Sequence, residues 1–158
     1  MFYDAHGSGN PSTIGRATSP DGIHWTKYND PATIDSAFAE SDPILKASDN
    51  GWDSTRVVDP NVIKTSDGWQ MIYLATTDAG KFSVGDFVFG AASSPDGIHW
   101  TKSSQNPVLS TKEHSQWSQV FLATLLYVKD TYYLYFDFVN PIQPGTNVYL
   151  ATYSGSLK

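Results

Sequence analysis

The chain contains no cysteine. Disulfides, thiol nucleophiles and cysteine-based zinc sites are therefore excluded. Glutamate is almost as scarce: Glu40 and Glu113 stand against 14 aspartates. Aspartate favours turns and glutamate favours helices, so the imbalance argues against a helical protein. Charged residues of both signs make up 16% of the chain, against ~25% in ordinary domains. Basic residues are the fewer, 10 against 16 acids, for a formal charge of −6. No nucleic acid or membrane partner is expected, since nucleic acid and anionic membranes both need a basic surface. No apolar run approaches the ~18 residues of a membrane span. Residues Met1 to His6 lack the basic stretch and apolar run of an export signal. The compartment stays open: cytoplasmic, or exported on a signal outside these residues.

What is present is aromatic and rich in turns. Aromatics make up 14% of 158 residues, and there are 12 glycines and nine prolines. The length suffices for one domain with a core. The composition predicts an all-β protein with aromatic, polar loops. One nonapeptide occurs twice without change: Ser19-Pro20-Asp21-Gly22-Ile23-His24-Trp25-Thr26-Lys27 and Ser94-Pro95-Asp96-Gly97-Ile98-His99-Trp100-Thr101-Lys102. Each copy is followed by a similar step, Asp42-Pro43-Ile44-Leu45 and Asn106-Pro107-Val108-Leu109. A polar stretch with Trp52 or Trp117 comes next, then an apolar run, Val57–Ile63 or Val120–Leu126. A turn leads to an aromatic run, Trp69–Tyr73 or Tyr132–Phe136, and then to Phe87–Ala92 or Asn147–Thr152.

The unit reads as four short antiparallel strands, a to d, which is the blade of a β-propeller. Asp-Gly between strands predicts a two-residue hairpin. Met1-Phe2-Tyr3 aligns with Met71-Ile72-Tyr73, so the chain opens in a strand b. The expected division is a partial blade over residues 1–30, a complete four-stranded blade over 42–103, and a third over 106–158 without its last strand. Tyr28–Glu40 is an extra polar loop. Two and a half blades make an incomplete propeller, because a closed ring needs ~4–8. Closure by oligomerisation, as a homodimer, is the expectation. Trp25 and Trp100 are both expected to pack between neighbouring blades.

The nonapeptide with its Asn/Asp-Pro-Val/Ile-Leu step, and Asp59-Pro60-Asn61-Val62-Ile63 followed by Asp67-Gly68-Trp69, resemble the five-bladed propellers of the arabinanase/fructosidase superfamily of glycoside hydrolases. The resemblance spans nearly the whole chain, apart from Tyr28–Glu40 and Gly80–Asp86. It implies a central funnel with acids on successive innermost strands: an Asp as base or nucleophile, an Asp in an Asp-Pro motif that tunes the acid, and a Glu as general acid. Asp59 matches the Asp-Pro motif. The matching position in the third unit is Leu122, and Val120–Leu126 holds no carboxylate. The strand that would carry the first Asp has no counterpart before Met1. Two of three acids are thus without a match.

Asp59 is a funnel acid, or an aspartate capping the turn before Pro60. Arg56, three residues earlier, would reach the same funnel. Asp4 and His6 share one strand face and would converge on one site; a lone exposed His is otherwise incidental. Glu113 is a displaced acid or a solvated loop charge, and His114 beside it is unrepeated. Trp52 and Trp117 stack on sugar rings or plug the blade rim. The duplicated Asp21, Asp96, His24 and His99 serve the architecture. Gly7-Ser8-Gly9-Asn10 lacks the lysine and helix of a phosphate loop, and no serine elbow is visible. No cofactor or metal is expected. Three functions stay open: a carbohydrate-active enzyme completed by other sequence or by assembly, a non-catalytic sugar-binding or scaffold module, and a gene remnant without function.

Overall fold

The computed structural model describes residues 1–6, 12–76, 87–110, 119–139, 146–155 and 157. Its strands form three sheets with antiparallel pairing throughout. The first is β1 (Phe2–Ala5), β2 (Thr13–Thr18) and β3 (Thr26–Lys27), in that order. The second runs β4 (Arg56–Thr65), β5 (Gly68–Thr76), β6 (Val88–Ser94) and β7 (Thr101–Lys102), with β8 (Leu109–Ser110) also on β6. The third holds β9 (Gln119–Val128), β10 (Thr131–Val139) and β11 (Thr146–Ser154), with β10 central. The described helical content is one 3-10 turn, Ser36–Phe38, capped by Asp35. The chain is all-β, built of propeller blades in an incomplete propeller.

The repeat governs the register. Tyr3 pairs with Gly15, Tyr73 with Gly90 and Phe136 with Tyr149. In the first two sheets the tyrosine ring lies flat over its glycine. A Cβ on Gly15 would fall 2.5 Å from the Tyr3 ring, and one on Gly90 2.5 Å from both Tyr73 and Trp52. These glycines leave room for the ring across the strand pair.

The sheets stack face to face with the second in the middle. Alternation along β5 sends Met71, Tyr73 and Ala75 into a cluster with Ile14, Leu45 and Val57, and Ile72 and Leu74 into one with Phe89, Leu134 and Phe136. Because both faces are covered, β5 reads as a continuous buried run from Gln70 to Thr76, where a half-exposed strand would alternate. Full burial of each large side chain here contributes ~1.5–3 kcal/mol. The steps after each nonapeptide serve as hinges between sheets. Ile44 and Leu45 bond back to Ile14, and Val108 bonds to Phe89.

The twin turns differ from the expected two-residue hairpin. Between β2 and β3 the chain makes a longer turn, organised by Asp21. Its Oδ1 accepts from Ile23 N (2.9 Å) and His24 N (2.8 Å), and its Oδ2 meets His24 Nδ1 at 2.7 Å. Asp96 repeats these bonds with Ile98 N, His99 N and His99 Nδ1 at 2.8, 2.9 and 2.6 Å. An aspartate that captures two backbone donors ahead of it makes an Asx-type turn, which outcompetes the tight hairpin. Lys129 and Asp130, both at positive φ, make the two-residue connection between β9 and β10 instead.

The expectation for the two tryptophans also divides. Trp100 is half-buried against Phe2 of the first sheet, edge to face at 6.0 Å. Trp25 is 44% exposed. Its sequence is the same, but none of the described residues lies where Phe2 lies for Trp100.

Candidate functional site

The inner edges of the sheets, β1, β4 and β9, lie side by side. A bulge in β4 ties them together. Val58 pairs with Leu74 and Asn61 with Ile72, so Asp59 and Pro60 together face one partner residue. Pro60 has no N–H to give the ladder. The extra residue turns the strand, and Asp59 takes φ 51°, a left-handed conformation that aspartate tolerates better than most residues. From the bulge, Asp59 N donates to Asp4 Oδ1 at 2.8 Å. Asn61 reaches the other way: its Nδ2 donates to Ala123 O at 2.6 Å and its Oδ1 accepts from Leu125 N at 2.9 Å. One bulge therefore fastens the middle sheet to both neighbours.

The same turn brings two carboxyl groups together. Asp59 is half-buried, and burial is the largest cause holding its carboxyl above the ordinary range. The neighbouring Asp4 charge, and a hydrogen bond between the two carboxyls, push in the same direction; the His6 charge opposes them. His6 Nδ1 is fixed on Ser12 Oγ at 2.8 Å, and Ser12 bridges to Arg56 at the start of β4. Asp4, His6 and Asp59 thus converge across two sheets. The Asp4 carboxyl lies close enough to disfavour the charged form of Asp59.

Other candidates fall elsewhere. Arg56 shares the face of β4 that carries Val58, toward β9, whereas Asp59 turns to β1. Trp52 stacks on Tyr73 at 6.0 Å and 27°, in the packing layer between the first and second sheets. Glu113, His114 and Trp117 lie outside the described residues. The register leaves Leu122 as the extra residue of a bulge in β9, at the position where β4 has Asp59. Among the described residues no group of three or more His, Asp or Glu is set to hold a metal ion.

Sequence reasoning missed two groups. Ser12 and Asn61 are ordinary polar residues whose roles depend on neighbouring sheets. Asp53 is the larger omission. It is 1% exposed, takes a 2.6 Å bond from Lys102 Nζ, and helps raise the Tyr73 hydroxyl beyond its usual range, where burial acts first. Lys102 Nζ also reaches Ser48 Oγ at 2.9 Å. A signal existed: Asp53 adjoins Trp52, and Lys102 ends the repeated nonapeptide.

Comparison with known proteins supports the architecture. No family model matches the chain, and no curated protein matches it. Solved structures do. A glycoside hydrolase superposes with a TM-score of 0.66 at 18% identity, over 96% of this chain and 40% of its own. A glycosyl hydrolase from Bacteroides ovatus gives 0.60 at 19% identity, over 87% of this chain and 39% of its own. A thermostable family-43 glycoside hydrolase gives 0.53 at 18% identity, over 95% and 66%. The chain spans about 40% of the length of the first of these. At such identities the likeness is one of fold: the chain has the architecture of propeller glycoside hydrolases, in part.

Proposed function

We propose that this chain is a carbohydrate-binding, glycoside-hydrolase-like propeller module that does not cleave glycosides by itself. The Asp4–Asp59 pair at the inner edge is the observation that supports it. The converging carboxyls present hydrogen-bond acceptors, and His6 adds a polar ring beside them. That set suits the vicinal hydroxyls of a sugar. Hydrolysis asks for something else: two carboxyl groups ~5–9.5 Å apart on opposite sides of the scissile bond. Carboxyls in hydrogen-bond contact occupy one side. The neighbouring inner strand, β9, is Gln-Val-Phe-Leu-Ala-Thr-Leu-Leu-Tyr-Val, without an acid.

The test is calorimetry or NMR titration with arabinan, xylan and fructan oligosaccharides, beside turnover assays on the same sugars and on aryl-glycosides. The expected result is binding without turnover. Asp4→Asn should weaken it by about tenfold, the worth of one charge-assisted hydrogen bond. Robust turnover abolished by Asp59→Asn would overturn the non-catalytic reading. Absence of binding to every sugar would overturn the site.

A further inference from the structure

The two ends of the stack present exposed apolar surface of matching kind. On the first sheet, Ile23 is 76% and Trp25 44% exposed. On the third, Tyr135 is 39%, Leu150 50% and Leu126 46% exposed. The middle of the molecule shows how two such surfaces meet. Ile98 and Trp100, the second copies of Ile23 and Trp25, pack against the first sheet at Phe2. Phe2 also holds Trp69 at 5.9 Å, and Arg16 Nη1 donates to Asp96 O at 3.1 Å.

The register identifies the equivalent platform on the third sheet. Phe2 pairs with Arg16, one step before Tyr3 with Gly15. Tyr135 pairs with Leu150, one step before Phe136 with Tyr149. Tyr135 and Leu150 therefore stand where Phe2 and Arg16 stand. They point away from the second sheet, since Leu134 and Phe136 point into it.

We propose that two copies of this chain close head to tail. Ile23 and Trp25 of each dock on Tyr135 and Leu150 of the other. A second copy is the fitting occupant because the docking ridge is the same nonapeptide that already makes this contact within the chain. The new interface extends an existing one by repeating it. Two such contacts related by a two-fold axis close on themselves and leave no open end. Leu126 and Val148, the latter 69% exposed, flank the platform and would be covered with it.

Sedimentation equilibrium over a dilution series tests the pairing. The expected mass is twice the 17.4 kDa of one chain. Trp25→Asp and Leu150→Asp change residues exposed in the single chain, so each should leave its circular dichroism unchanged. Each should weaken association at least about tenfold, as loss of a central apolar anchor does. Mixing the two variants is the sharper arm, because a mixed pair regains one intact contact. It should associate more tightly than either variant alone. A wild-type chain that stays a monomer at every concentration would overturn the proposal. So would a dimer indifferent to both substitutions, mixing without rescue, or a mass that climbs without a plateau.

Discussion

Residues 19–27 and 94–102 carry the same nine side chains, and as far as His24 and His99 they make the same bonds. Beyond that they part. Trp25 Nε1 donates to Gly22 O at 3.1 Å, whereas buried Trp100 Nε1 has no partner among the described residues. Lys102 reaches buried Asp53. Lys27 is exposed and makes no ion pair among the described residues. Ile98 is half-buried and Ile23 is open. Local bonds follow local sequence, so both copies fold into the same turn. Burial follows what stands opposite, and opposite Trp100 stands Phe2. Trp100, packed on Phe2, lacks the bond to its turn that Trp25 makes.

The largest difference should come from the last residue of each copy. Lys102→Met strands the buried Asp53 carboxylate without its cation, which costs about 3–5 kcal/mol. Lys27→Met should stay within about 0.5 kcal/mol. Urea unfolding of both variants measures this, and equal losses would dissolve the contrast. Next are the tryptophans. Trp100→Ala should cost about 2 kcal/mol, below the range for a fully buried aromatic because the ring is half-buried, and Trp25→Ala less than about 1 kcal/mol at dilutions that keep the chain single. Trp100→Phe sharpens the point. It keeps a ring on Phe2 and removes an unpaired N–H, so it should cost less than half of the alanine change.

A smaller effect separates the two bulges, where Asp59 and Leu122 share a position. The folded state holds the Asp59 proton more tightly than the unfolded state does. Stability from this group is therefore greatest below the ordinary aspartate range and falls as pH rises through the raised value. Asp59→Asn should remove that slope and leave the protein as stable or slightly more stable at neutral pH, while sugar binding drops. Thermal melts at pH 4 and pH 7 check it, and a loss at neutral pH would argue for an ionised, stabilising Asp59. Least of all should the paired turns differ. Their histidines and captured backbone donors hold Asp21 and Asp96 below the usual carboxylate range. Whatever stability this linkage lends is present above the ordinary aspartate range and fades only as pH falls through those depressed values. Carboxyl-carbon NMR titration should show both ionised well below pH 3.8, and alike.

These contrasts also show what could be read from residues alone. The blade order, the strand pairings and the alignment of Met1-Phe2-Tyr3 with Met71-Ile72-Tyr73 were legible, because side-chain periodicity and turn residues are local. Asp4 with His6 was legible for the same reason. Their meeting with Asp59 was not, since it joins residues on different sheets through a bulge that the sequence marks only by Pro60. The twin turns were misjudged because Asp-Gly signals a hairpin only when the aspartate does not cap its own loop. Equal burial of Trp25 and Trp100 was expected because identical sequences carry no record of their neighbours.

The duplicated nonapeptide has a kinetic consequence too. While the chain is folding, the outer edge of β6 meets two identical candidates for its fourth strand. Thr101 arrives through a short turn; Thr26 would have to close a loop of more than about sixty residues. Loop closure alone favours the near copy by about 2 kcal/mol, roughly twenty- to thirtyfold. Chain entropy, and not side-chain chemistry, is what tells the copies apart at that stage. A chain that pairs the far copy with β6 would leave β2 without its neighbour. Such a chain would have to release β6 before the first sheet could be completed.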